Sequence, residues 1–127
     1  MEEGTGMNAL VLNGDVIEKV KKEVPALVCN LMKDDLVEVV LYGSYARGDY
    51  TEDSDIDIAL ITKNDRMEVQ KYTGALAAIA TELAMRYFTI VNFVCLPYEE
   101  FTEKKNWYAY FKNIANEGEV LYRSRVL

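Results

Sequence analysis

The sequence predicts an α/β domain (α+β in the looser usage) in which a small mixed β-sheet is flanked by helices. Three observations predict it. Short apolar runs rich in β-branched residues, Leu36–Tyr42, Ile56–Thr62 and Thr89–Leu96, read as buried strands. Longer stretches with apolar residues at helical spacing lie around and between them. Their order, helix, strand, turn, strand, helix, strand, helix, is that of a layered domain. With 127 residues, 50% of them hydrophobic, the chain has material for one core and one domain.

Residues 1–13 read as a flexible lead-in and 14–127 as the single domain. Asn13-Gly14-Asp15 is a helix start signal. Val16, Ile17, Val20, Val24, Leu27, Val28, Leu31 and Met32 then recur at helical spacing, with Lys19, Lys21, Lys22 and Glu23 on the other face. Pro25 interrupts the pattern and predicts a kink. Lys33-Asp34-Asp35 ends the helix. The first strand, Leu36–Tyr42, stops at Gly43-Ser44, and Tyr45–Gly48 reads as a turn or helical stub. After a polar loop the second strand begins. It sets Asp55, Asp57 and Ala59 on one face and Ile56, Ile58 and Leu60 on the other. Asn64-Asp65 caps a predicted helix from Arg66 to Tyr87. The third strand runs from Thr89 to Leu96 and is broken off by Pro97. A last helix is predicted from Thr102 to Asn116, stopping at Gly118, with Glu119–Tyr122 as a short edge strand.

Composition narrows the function. The formal charge of -7 repels polyanions, so a long nucleic acid is disfavoured while a metal-borne nucleotide is not. There is no histidine, which excludes Ser-His and Cys-His nucleophilic catalysis and His-based metal sites. Cys29 and Cys95 sit in apolar segments and read as buried reduced thiols. The acidic N-terminus lacks the basic and apolar regions of a signal peptide, and no apolar run approaches a membrane span, so a cytoplasmic location is expected.

The chemistry concentrates in Leu41-Tyr42-Gly43-Ser44-Tyr45-Ala46-Arg47-Gly48-Asp49 and Ser54-Asp55-Ile56-Asp57-Ile58. Glycine at the end of a strand lets backbone come close to a ligand, and the Ser44 hydroxyl can donate to a phosphate oxygen. The same pair alone also reads as a plain strand-to-helix turn. Asp55 and Asp57, at i and i+2 of a strand, face the same way about 7 Å apart. Two converging acids suit a divalent cation, and Mg²⁺ takes one or two carboxylates plus substrate phosphates. Alone, they also read as an acidic strand that resists aggregation.

Together, Ser44 followed by ten residues and then Asp55-Ile56-Asp57 resembles the Gly-Ser-x10-Asp-x-Asp motif of the DNA polymerase β-like nucleotidyltransferase superfamily. The fuller run, and the closing segment Phe111–Tyr122, are similar to its minimal nucleotidyltransferase branch, often encoded beside a helical HEPN-domain protein. The resemblance covers residues 15–122. It implies the polymerase β-like fold, with Gly43 and Ser44 binding the triphosphate and Asp55 and Asp57 the metal, Mg²⁺ or Mn²⁺. Arg47 would touch phosphate, or pair with Asp49 or Asp53 and brace the loop. The expected reaction moves a nucleoside monophosphate, AMP from ATP or that of another nucleoside triphosphate, to an acceptor hydroxyl. That hydroxyl would lie on a HEPN-type toxin, and this chain would be its antitoxin, alone or as a homo-oligomer.

The resemblance also predicts a third carboxylate on the next core strand, where the best-aligned residue is Asn92. No Asp or Glu lies between Tyr87 and Tyr98. Asparagine can offer a carbonyl oxygen to a metal but cannot act as a base. Asn92 therefore keeps a second reading open: a weak or inactive domain that neutralises its partner by binding. A small-molecule nucleotidyltransferase is a third, though such enzymes generally carry extra helical structure to hold the acceptor. The aromatic cluster Trp107, Tyr108, Tyr110 and Phe111 reads as core packing and subunit contact, with base stacking as the alternative. Lys104-Lys105 reads as a solvated face.

Overall fold

Helix α1 (Ala9–Met32) forms because Ile17, Val20, Val24, Val28 and Met32 recur every three or four residues, and all five are at most 5% exposed. The computed structural model describes residues 9–125. The helix begins four residues before the Asn13 start signal. Residues 9–13 of the expected lead-in are thus helical, and 1–8 lie outside the described residues. Gly14 sits inside the helix, where a glycine costs about 1 kcal/mol; a β-carbon there would lie 3.3 Å from the Tyr50 hydroxyl. The helix runs on through Pro25, whose nitrogen has no hydrogen to donate to the preceding turn.

Strands β1 (Leu36–Tyr42) and β2 (Ile56–Thr62) have the predicted limits and pair antiparallel, with helix α2 (Ser44–Arg47) in the loop between them. Strand β3 (Val91–Pro97) lies parallel to β2. A parallel pair needs a crossover, which helix α3 (Thr73–Tyr87) supplies. Helices α4 (Tyr98–Lys104) and α5 (Ala109–Glu117) follow, and strand β4 (Glu119–Arg123) pairs antiparallel with β1 at the sheet edge. The strand order is β3-β2-β1-β4, and one parallel pair beside two antiparallel ones makes the sheet mixed, as expected.

The central strands are apolar on both faces because both are covered. Val39, Leu41, Ile56, Ile58 and Leu60 pack beneath α1 and α3. Val40, Ala59 and Ile61 pack with Phe101, Phe111 and Ile114 of α4 and α5. The carboxyl of Glu23 accepts from Arg86 and Tyr87, tying α1 to the end of α3. Among the described residues, no helix is long and apolar enough to cross a membrane.

Two predicted helices differ. The helix expected over Arg66–Tyr87 is a 3-10 segment, Glu68–Tyr72, followed by α3. The cap signal is present: Glu68 N–H donates to Asp65 Oδ1 at 2.8 Å, and Asp65 N–H donates to Glu68 Oε1 at 3.0 Å. This reciprocal pair tightens the first turn. The helix expected over Thr102–Asn116 is split into α4 and α5. Phe101 and Phe111, ten residues apart, would sit about 80° apart around one straight helix. The break lets both rings, 6.0 Å apart, reach the sheet. Gly118 then ends α5 in extended backbone, where a β-carbon would overlap Val40 and the Ile114 carbonyl.

Candidate active site

The turn after β1 is built around Gly43. Its φ of 77° and ψ of -156° lie where side-chain-bearing residues are rarely found. A β-carbon there would also overlap Asp57 Oδ2 and approach Asp57 Cγ to 3.3 Å. The glycine thus serves two ends at once: it reverses the chain, and it lets the turn press against a carboxylate of β2. Ala46 and Arg47 N–H groups donate to the Gly43 carbonyl at 3.1 Å, winding the single turn of α2 that Ser44 opens. Gly48, with φ 85°, stops it.

The loop to β2 is held by its own contacts. Tyr45, buried, stacks on Tyr50 with ring centroids 4.2 Å apart. Thr51 N–H donates to Ser54 Oγ at 2.9 Å, and Ser54 N–H donates to the Thr51 carbonyl at 3.1 Å. Asp55 follows immediately, and Ile56 N–H joins the sheet by donating to the Ile90 carbonyl at 2.9 Å.

Register then assembles the site. Tyr42 lies opposite Asp57 on β1, and Asp57 lies opposite Asn92 on β3. Directly paired residues project from the same face, so three strands present one row. The Asn92 amide nitrogen donates to Asp55 Oδ2 at 3.1 Å and to Asp57 Oδ1 at 3.3 Å. Gly43, Asp55, Asp57 and Asn92 meet at one end of the sheet, and Ser44 opens the helical turn beside them. No group of three or more His, Cys, Asp or Glu that could hold a metal occurs among the described residues. The two carboxylates fit Mg²⁺ all the same, because it usually takes one or two carboxylates, keeps several waters and fills its shell with substrate phosphate oxygens.

Arg47 braces the loop. Its Nε lies 3.2 Å from Asp49, while Nη1 lies 3.7 Å from Glu117 of α5, a partner the sequence did not reveal; Asp53 is not among its contacts. These exposed pairs add little stability, but they place the guanidinium at a cavity of about 190 Å³ beside Gly43. Tyr42, Tyr110 and Asn113 line the same cavity. The hydroxyls of Tyr42 and Tyr110 are 3.1 Å apart, with the rings edge to face. Burial pushes the Tyr42 phenol well above its ordinary value; Tyr110 and the Asp57 charge add to this, so it stays protonated at neutral pH. Tyr42 and Tyr110 were missed as site residues, although one precedes Gly43 in the motif and the other lies in the aromatic cluster. A second, mostly apolar groove of about 450 Å³ runs between α3 and β3 and includes Asn92.

The rest of the aromatic cluster divides. Phe111 is buried in the core, whereas Trp107 is 65% exposed and Tyr108 and Tyr110 are also exposed. Lys104 is not simply solvated: with Arg66 it pairs to Glu100, at 3.0 and 2.7 Å, and the two cations, Arg66 foremost, hold that carboxyl below its usual range. Cys29 and Cys95 are free and partly buried, and burial pushes the Cys95 thiol up to about 11.

Comparison with known proteins shows the family. The sequence pattern of the nucleotidyltransferase domain matches residues 16–117. A provisionally named protein adenylyltransferase of Methanocaldococcus jannaschii is 35% identical over 105 residues, spanning 83% of this chain and 97% of the relative. A second such protein of that organism is 33% identical over 78 residues, 61% of this chain and 73% of its own. Among solved structures, a provisionally named nucleotidyltransferase from Sulfolobus solfataricus superposes with a TM-score of 0.54 at 21% identity, covering 98% of this chain and 96% of that one. A toxin–antitoxin structure containing AMP-PNP gives a TM-score of 0.54 at 20% identity, and the MntA-HpeT toxin–antitoxin gives 0.52 at 18%; each covers 83% of this chain and 74% of the other. These two likenesses speak for the fold. With its match over residues 16–117 and its glycine turn set against paired aspartates, this chain belongs to the nucleotidyltransferase domain family.

Proposed function

We propose that this domain binds ATP, or another nucleoside triphosphate, together with Mg²⁺ or Mn²⁺, and transfers its nucleoside monophosphate to a hydroxyl on a partner protein, releasing pyrophosphate. The observation that carries the reading is the meeting of the Gly43 turn with Asp55, Asp57 and Asn92 at one end of the sheet. Adenylyl transfer is favoured by the names of the Methanocaldococcus relatives. A toxin partner is favoured by the toxin–antitoxin structures that share the fold. We assign that partner to the helical HEPN type and the acceptor to one of its hydroxyls, often a tyrosine. This domain would then act as the antitoxin in the cytoplasm, its charge of -7 suiting a basic partner.

Asp55 and Asp57 hold the cation, which when bound would neutralise charge on the triphosphate and on the leaving pyrophosphate. The Gly43 backbone and the Ser44 hydroxyl cradle phosphate oxygens, since the absence of a β-carbon lets the turn approach the carboxylates. Arg47 fixes the loop through Asp49 and Glu117 and lines the cavity beside Gly43, where its guanidinium can also meet phosphate. Asn92 takes no proton, so the acceptor hydroxyl gives its proton to another group: Asp55 or Asp57, water, or a group of the partner.

Asn92 also favours a second reading, a domain that binds nucleotide and partner without transfer. Calorimetric titration with AMP-PNP tests what both share. Binding is expected with Mg²⁺ and at least about tenfold weaker binding in EDTA. Equal affinity in both would remove the metal from the account, and no binding in either would remove the nucleotide.

A further inference from the structure

We infer that Asn92 acts as a built-in stand-in for the cation, so that the site takes up metal together with nucleotide rather than ahead of it. This rests on the reading of Asp55 and Asp57 as the metal-holding pair. The two hydrogens of the Asn92 amide match the two acids one to one, at 3.1 Å to Asp55 Oδ2 and 3.3 Å to Asp57 Oδ1. The opposite orientation would set the amide oxygen against two carboxylates, so the acids themselves turn the group. Register fixes Asn92 opposite Asp57, and the Gly43 turn closes the other side of that carboxylate. The amide thus relieves repulsion between two like charges two residues apart, one just before β2 and one within it.

A cation entering alone must break both hydrogen bonds. The amide must then rotate to offer its oxygen, or withdraw. The metal gains two charged ligands rather than the three an aspartate at this position would give, and affinity for hard cations follows ligand charge. Phosphate oxygens arriving with the metal supply what the neutral amide does not. Metal and nucleotide are therefore coupled, each raising affinity for the other by the same factor.

The test is Mn²⁺ binding to the full chain, followed by electron paramagnetic resonance without nucleotide, in wild type and Asn92→Asp. The variant is expected to bind Mn²⁺ at least about tenfold more tightly. Adding AMP-PNP is expected to raise wild-type Mn²⁺ affinity by a larger factor than it raises that of the variant. Equal Mn²⁺ affinity in the two folded proteins, or equal enhancement by AMP-PNP, would overturn the inference. Should Asn92→Asp not fold, Asn92→Ala carries the test by melting temperature. Lacking the bridging amide, it should be stabilised by Mg²⁺ more than wild type is, and equal shifts would overturn the inference. None of these readouts involves transfer. A chain that shows the Asn92 effect but transfers nothing would end the transferase reading and leave this one standing.

Discussion

Replacing Asp57 by asparagine is expected to lower Mg²⁺-dependent nucleotide transfer by about a thousandfold or more while leaving the fold in place. Asp57 is the hub of the site. It faces Tyr42 on one side and Asn92 on the other, and the Gly43 turn rests against its Oδ2. Asparagine keeps its shape and most of its contacts but removes half the charge that the paired acids offer a cation. The side chain is only partly buried and its hydrogen-bond partner is an exposed amide, so stability should stay within about 1 kcal/mol of wild type. Circular dichroism melting and AMP-PNP titration in Mg²⁺ check the two halves. A variant with wild-type affinity for Mg²⁺·AMP-PNP would show that Asp57 does not hold the metal.

Gly43→Ala is expected to damage both stability and function. The backbone at this position is one that residues other than glycine adopt at a cost of about 1–3 kcal/mol. The new methyl would also overlap Asp57 Oδ2, so either the turn or the carboxylate must move. Urea denaturation should show a loss in that range, and nucleotide affinity should fall more than the stability loss explains. Unchanged stability together with unchanged affinity would mean that the turn is not held against Asp57 as described. Gly48 offers the contrast. It too has positive φ, but a β-carbon there would meet nothing within 4 Å, so Gly48→Ala should cost stability without touching the site.

Much of this was legible in the chain, for reasons that can be stated. Strands β1 and β2 were readable to the residue because each is a seven-residue apolar run buried on both faces and bounded by polar or glycine signals. Gly43, Ser44, Asp55 and Asp57 were readable because their spacing is a local property. Asn92 was reached only through the family resemblance, as the best-aligned residue of a strand that contains no acid. What depends on tertiary packing was not readable. The split between α4 and α5 arises because Phe101 and Phe111 must reach the same sheet face. The pairing of Arg47 with Glu117 joins residues seventy positions apart, and the Tyr42–Tyr110 hydroxyl contact joins residues sixty-eight apart. No periodicity encodes such pairs. The early start of α1 is a different kind of miss, since an Asn-Gly pair that often opens a helix is here carried inside one.

The central claim, metal-dependent nucleotidyl transfer through Asp55 and Asp57, is met most directly by one incubation. The purified protein is mixed with Mg²⁺, ATP labelled at the α-phosphate, and the product of the adjacent gene, with Asp57→Asn as the control. Label moving onto that partner in the wild type and absent from the control is the predicted result. A stable complex that carries no label would contradict transfer and leave a domain that acts by binding alone.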